Sequence, residues 1–92
     1  MPLVKVGDRQ NVLYALALLA RVAAQDGREA RAGRLWGAIE AEEARGPVGA
    51  WEGDREQEEH AVLAAAGAAF DSARAEGRVL ALADAIAFAI SD

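Results

Sequence analysis

The chain has 92 residues, a formal net charge of −5 and no cysteine, so it is one small domain or a piece of a larger one, and disulfides and thiolate metal sites are excluded. Apolar residues make up 53%, enough to fold. Alanine alone supplies 24 of them, against 16 Leu, Ile, Phe and Trp together. That composition favours closely spaced helices around a modest core.

The N-terminus "MPLVKVGDRQ" has no apolar run of signal-peptide length. The uncharged stretch "NVLYALALLA" is too short to cross a bilayer, so no membrane association and a cytoplasmic location are expected. A first helix is predicted from Asp8 or Asn11 to Gln25, with Asp8 as N-cap and Gly27 as C-terminal stop. Val12, Leu16, Leu19 and Val22 or Ala23 recur at helical spacing, with Leu13 and Ala20 beside them and Leu18 widening the stripe. A helix apolar around most of its girth is expected to be central and buried on two sides.

A second helix is predicted from Arg28 to Ala44, with Ala32, Leu35, Trp36 and Ile39 on its apolar side. The short "QDGR" link implies an antiparallel hairpin. Gly33 and Gly37 lie one turn apart inside this helix, although interior glycine costs about 1 kcal/mol relative to alanine. Such a smooth strip lets another helix come very close, and the first or third helix is the expected neighbour. Arg28, Arg31, Arg34 and Arg45 alternate with Glu29, Glu40, Glu42 and Glu43, which reads as a solvated face.

Residues 46–53, "GPVGAWEGD" without its final Asp, read as a loop with Trp51 in its middle, either docked on the domain's own helices or free to contact a partner. Asp54 then caps a third helix whose first turn carries Glu56, Glu58 and Glu59, running towards Ala66. Gly67 ends or bends it, and Gly77 is the next stop. A terminal helix "LADAIAFAI" places Leu82, Ile86 and Ile90 on one face with Phe88 alongside. The fold class is all-α, with four or five helices in one domain over residues 1–92. Its parts are a hairpin over about 8–45, the loop 46–53 and C-terminal helices over about 54–91.

Chemistry-bearing patterns are sparse. Glu56 and His60 are one turn apart, but zinc needs about three protein ligands, and this is the single histidine of the chain. The pairs Glu42–Glu43 and Glu58–Glu59 point in different directions on a helix and read as surface charge. No glycine-rich phosphate loop follows a strand. Residues 1–47 carry a balance of +1 and residues 48–92 of −6, so the acidic half opposes direct nucleic-acid binding. No catalytic residue, metal site or cofactor is expected.

The stretch 12–39, "VLYALALLARVAAQDGREARAGRLWGAI", resembles a tetratricopeptide repeat. Leu16, Leu19 and Ala20 match its first helix, Gly27 its turn, and Ala32 and Trp36 the small and large packing positions of its second helix. Ala20, Ala23 and Ile39 stand where that motif has glycine, tyrosine and alanine. The series "GDR…YAL…LARVAA…RAGRLWGAIEA", "AEGR" and "ALADAIAFAI" resembles the C-terminal helical region of large bacterial ATP-binding transcriptional regulators of the LuxR/MalT kind and related predicted ATPases. That resemblance implies antiparallel hairpins in a tetratricopeptide-like right-handed array, serving as a non-catalytic protein-interaction or structural module in signalling. The regulators' nucleotide-binding and DNA-binding portions have no counterpart here, so neither activity carries over. The packing residues expected on it are Leu16, Leu19, Ala20, Ala32, Gly33, Trp36, Gly37 and Ile39. Partners would be the remaining domains of such a regulator, or a second copy pairing through apolar surface left on the first helix. The competing reading is a small-effector sensor with an apolar pocket lined by Trp36, Tyr14 and Phe70.

Overall fold

The computed structural model describes residues 6–64 and 67–91, and among them the regular structure is five helices with no strand. These are α1 (Val6–Gln25), α2 (Glu29–Glu43), α3 (Trp51–Leu63), α4 (Ala68–Gly77) and α5 (Leu82–Ile90). The all-α expectation is met. The radius of gyration is 12.1 Å, close to the ~12 Å of a compact chain of this length.

The α1–α2 turn is closed by two backbone bonds, Arg28 N–H to the Ala23 carbonyl at 2.8 Å and Gly27 N–H to that of Ala24 at 3.2 Å. This nested pair is a Schellman stop, and it requires the left-handed φ of +78° that Gly27 adopts. The predicted stop is therefore in place, and α2 returns against α1 as a hairpin. At the other end the expected cap is displaced. Asp8 lies inside α1, which begins at Val6. The predicted end of the third helix near Ala66 lies outside the described residues.

A further boundary moves. The loop of 46–53 ends early, because α3 begins at Trp51 rather than at Asp54. The signal mistaken for loop was Gly53, which sits in the exposed first turn of α3, where glycine is tolerated at modest cost. Loop residues 46–50 are tied back to α1, with Gln10 Oε1 accepting from the Ala50 N–H at 2.6 Å.

The glycine strip of α2 does meet a helix, but the neighbour is α4, not α1 or α3. A Cβ at Gly33 would overlap the Phe70 carbonyl oxygen, and one at Gly37 the carbonyl of Arg74. The strip is reciprocated: a Cβ at Gly77 of α4 would overlap the Arg34 carbonyl of α2. Three glycines on two helices thus let the backbones approach each other directly. Sequence spacing identified the strip but not its partner, because the matching glycine lies forty residues on from Gly37.

α2 is consequently the central helix, covered by α1 and α4 with α5 along its flank, while α3 lies on α1. The core is Leu13, Leu16, Ala17, Ala20, Ala32, Leu35, Trp36, Ile39, Val48, Trp51, Val62 and Phe70. α1 is buried on two sides as expected, yet it keeps a third side open. In α5 the inward face is Ala85 and Ala89, with Leu82 and Ile86 half-buried. Ile90, on the same helical face as Leu82 and Ile86 by pattern, is 81% exposed.

The two classes of glycine make opposite predictions. Gly37→Ala forces backbone apart and should cost about 1–3 kcal/mol, lowering Tm by several degrees. Gly53→Ala meets no atom within 4 Å and should raise stability by up to about 1 kcal/mol. Thermal melts of the two variants measure both signs.

Candidate interaction surface

The interior side of α1, α2 and α3 is held by aromatic rings and charge. Trp51 is fully buried, its ring meeting Tyr14 edge-on at 5.4 Å and Trp36 at 6.2 Å between centroids. Its indole N–H donates to Glu43 Oε2 at 2.8 Å. Trp51 is therefore an internal anchor and not a free partner contact. The competing reading expects an apolar pocket lined by Trp36, Tyr14 and Phe70; the Trp51 ring packs against Tyr14 and Trp36, and Phe70 is itself fully buried in the core.

Glu40, Glu42 and Glu43 are not surface charges. Glu42 is 3% exposed and receives the guanidinium groups of Arg9 and Arg45. Arg9 also donates to the carbonyls of Glu42 at 3.1 Å and Pro47 at 3.3 Å, so a cation from α1 caps the C-terminal end of α2. Glu40 accepts from Arg74 at 2.6 and 2.8 Å and from Arg78 at 2.9 Å, with Arg55 3.6 Å away. Arg55 bonds Glu43 and Glu59 and lies 5.5 Å over the Trp36 ring. One linked set of charges thus joins α2, α3 and α4.

The arginines of α2 are likewise engaged rather than simply solvated. Arg31 donates to the Ala89 carbonyl at 2.8 Å and that of Ser91 at 3.3 Å, capping α5. Arg34 pairs with Glu76, and both cations lie over Phe88, at 5.2 and 4.9 Å. These contacts attach α5, whose small residues bury little area. Period and composition could not reveal them, since each partner lies more than forty residues away in sequence. Beside them, an open hollow of about 580 Å³ is lined by Gly27, Arg28, Glu29, Ala30, Arg31, Arg34, Ala69 and Phe88.

Of the predicted packing residues, Leu16, Ala20, Ala32, Gly33, Trp36, Gly37 and Ile39 are buried and Leu19 is partly so. They form the support for what α1 turns outward. Between residues 11 and 25 the exposed positions are Asn11, Ala15, Leu18, Val22 and Gln25. Their spacing is four, three, four, three, which is the seam of a heptad. None is charged. Leu18 is 51% and Val22 45% exposed, with half-buried Val12 and Leu19 alongside. Arg21, the nearest cation, is turned to Glu58 of α3 at 3.4 Å, and the Tyr14 hydroxyl donates to Asp54. That carboxylate bond, together with burial, holds the Tyr14 phenol above its ordinary pKa.

His60 and Glu56 are both exposed. Among the described residues no group of three or more metal-ligating side chains converges, and no helix is long and apolar enough to cross a membrane. Compared with known proteins, the chain matches no family model, no curated protein and no solved structure.

Burial alone would raise the Glu40 carboxyl, but hydrogen bonds from Arg74 and Arg78 outweigh it and hold the pKa below its ordinary value of 4.5. A depressed carboxylate adds stability above its unfolded pKa, and that stability is lost as pH falls through the folded value. Melting temperature should therefore drop on acidification below about pH 4.5. Glu40→Gln should cost about 1.5–3 kcal/mol at neutral pH and flatten that acid limb, as thermal melts across pH 3–7 would record.

Proposed function

We propose that this chain is a non-catalytic helical interaction module whose working surface is the uncharged outer stripe of α1. The observation that carries the reading is the absence of charge along four exposed turns of α1. Exposed helix faces normally carry charged or polar residues, and here the neighbouring polar side chains turn to α3, Arg21 to Glu58 and Tyr14 to Asp54. A partner helix docking along the stripe would bury Leu18 and Val22 without stranding an ion, which is the usual source of cost at such contacts.

The resemblance to the C-terminal helical region of ATP-binding bacterial regulators gives this module a setting. In that setting it would sit in the cytoplasm as part of a sensor array, presenting α1 to an adjoining domain. The α1–α2 hairpin is the part of the fold that supports the tetratricopeptide-like reading, since that motif is a pair of antiparallel helices.

A synthetic amphipathic helix about three heptads long, with leucine and alanine on one uncharged seam, is the direct probe. Titrated into the isotope-labelled protein, it should shift the amide resonances of Ala15, Leu18 and Val22 in a saturable way. Saturable shifts confined to α3 or α5, or no shifts at millimolar peptide, would remove the assignment of this surface.

A further inference from the structure

We infer that the helix which covers the α1 stripe is the α1 stripe of a second copy of this chain, packed across a twofold axis. This deepens the interaction reading and rests on it. Asn11, Ala15, Leu18, Val22 and Gln25 lie on one line along α1, and a second helix can follow that line over its whole length. The lack of charge selects an occupant that is itself uncharged along its contact line, since an ion opposite Leu18 or Val22 would lose its water and gain no counter-ion.

Electrostatics then narrow how two copies can meet. The molecule carries −5, and its exposed carboxylates include Glu52, Asp54 and Glu56 on α3, Asp71 and Glu76 on α4, and Asp84 on α5. Face-to-face approach through any of those helices brings like charges together. α1 is the face on which exposed positions over four turns carry none, so it is the route by which two such acidic molecules come into contact at least cost.

The stripe is also self-complementary. Read from either end it runs amide, small or branched aliphatic, Leu18, aliphatic, amide. In an antiparallel pair the Asn11 end of one copy lies beside the Gln25 end of the other, with Leu18 near the axis. An isologous interface requires this property of a single patch. The small Ala15 lets the larger Leu18 or Val22 of the other copy seat beside it.

Size sets the strength. The stripe runs for about 21 Å of helix, and two helices meeting over that length bury at or below the ~1,200 Å² of a stable complex. The dimer is therefore weak and concentration-dependent.

Sedimentation of the whole chain from micromolar to millimolar concentration reads this directly. The mass should rise from the monomer's 9.6 kDa towards twice that value. The double variant Leu18→Glu, Val22→Glu should stay monomeric throughout with unchanged helical circular dichroism, while Gln57→Glu on α3 should dimerise like the parent. Because the double variant introduces charge beside the core, a second measurement uses the unaltered protein. In a mixed labelled and unlabelled sample, isotope-filtered NMR should show contacts from the Leu18 and Val22 methyls of one copy to α1 of the other. A mass fixed at 9.6 kDa up to millimolar concentration overturns the inference, as does a dimer that survives in the folded double variant or whose intermolecular contacts lie on another face. A monomer whose α1 stripe still binds the synthetic helix would overturn self-association alone. A monomer that also ignores the synthetic helix would overturn the interaction reading with it.

Discussion

Direct contact between two helix backbones, α2 and α4, is the constraint on which the remaining structure depends. Gly33, Gly37 and Gly77 remove the side chains that would hold the two rods apart. Their approach fixes Phe70 against the core and brings Arg74 and Arg78 to Glu40. Interior glycine weakens each helix taken alone, by about 1 kcal/mol per residue. The balance is restored by dispersion between closely packed backbones, which is short-ranged and grows steeply as the gap closes. A chain that draws so much of its apolar content from alanine has few other ways to gain packing energy, because each alanine contributes little area.

Once α4 is seated, charge does what large aliphatic side chains do elsewhere. α5 presents two buried alanines to the body of the protein, a thin basis for docking. Arg31 supplies the missing definition by capping the α5 carbonyls while its guanidinium lies over Phe88. Arg9 performs the same service for α2 from the opposite direction. Cations at helix C-termini are favoured by the dipole as well as by the unpaired carbonyls. These arginines therefore specify which helix ends meet, a role distinct from adding bulk stability, since partly exposed ion pairs contribute only modestly.

What was legible in the sequence follows from the range over which each signal acts. Gly27 as a stop, the hairpin it produces and the burial of Leu16, Ala20, Trp36 and Ile39 are local matters of turn chemistry and 3.6-residue period, and all are present. The strip formed by Gly33 and Gly37 was legible as a close contact, but its occupant was not, because period says which side of a helix is smooth and nothing about what lies there. Glu42 was misread for the same reason. A glutamate between other charges looks solvated until the fold brings Arg9 to it from thirty-three residues away. Gly49 and Gly53, which flank Trp51, mark a loop by local turn chemistry, yet the large ring starts α3 and packs against Tyr14 and Trp36.

The outward stripe of α1 is the complement of that inner order. Leu18 and Val22 belong to the same apolar girth that the sequence shows around this helix, and the core has room for only part of it. α2 and α3 take two sides, α5 touches a little more, and the surplus faces out. A surplus arising by chance would be scattered, with charged residues interspersed among the exposed aliphatics. Here the exposed set ends in amides and excludes charge over four turns, while α3 beside it is densely acidic. Solubility alone would favour lysine or glutamate at the exposed Ala15. That absence of charge is the feature on which the proposed docking surface rests.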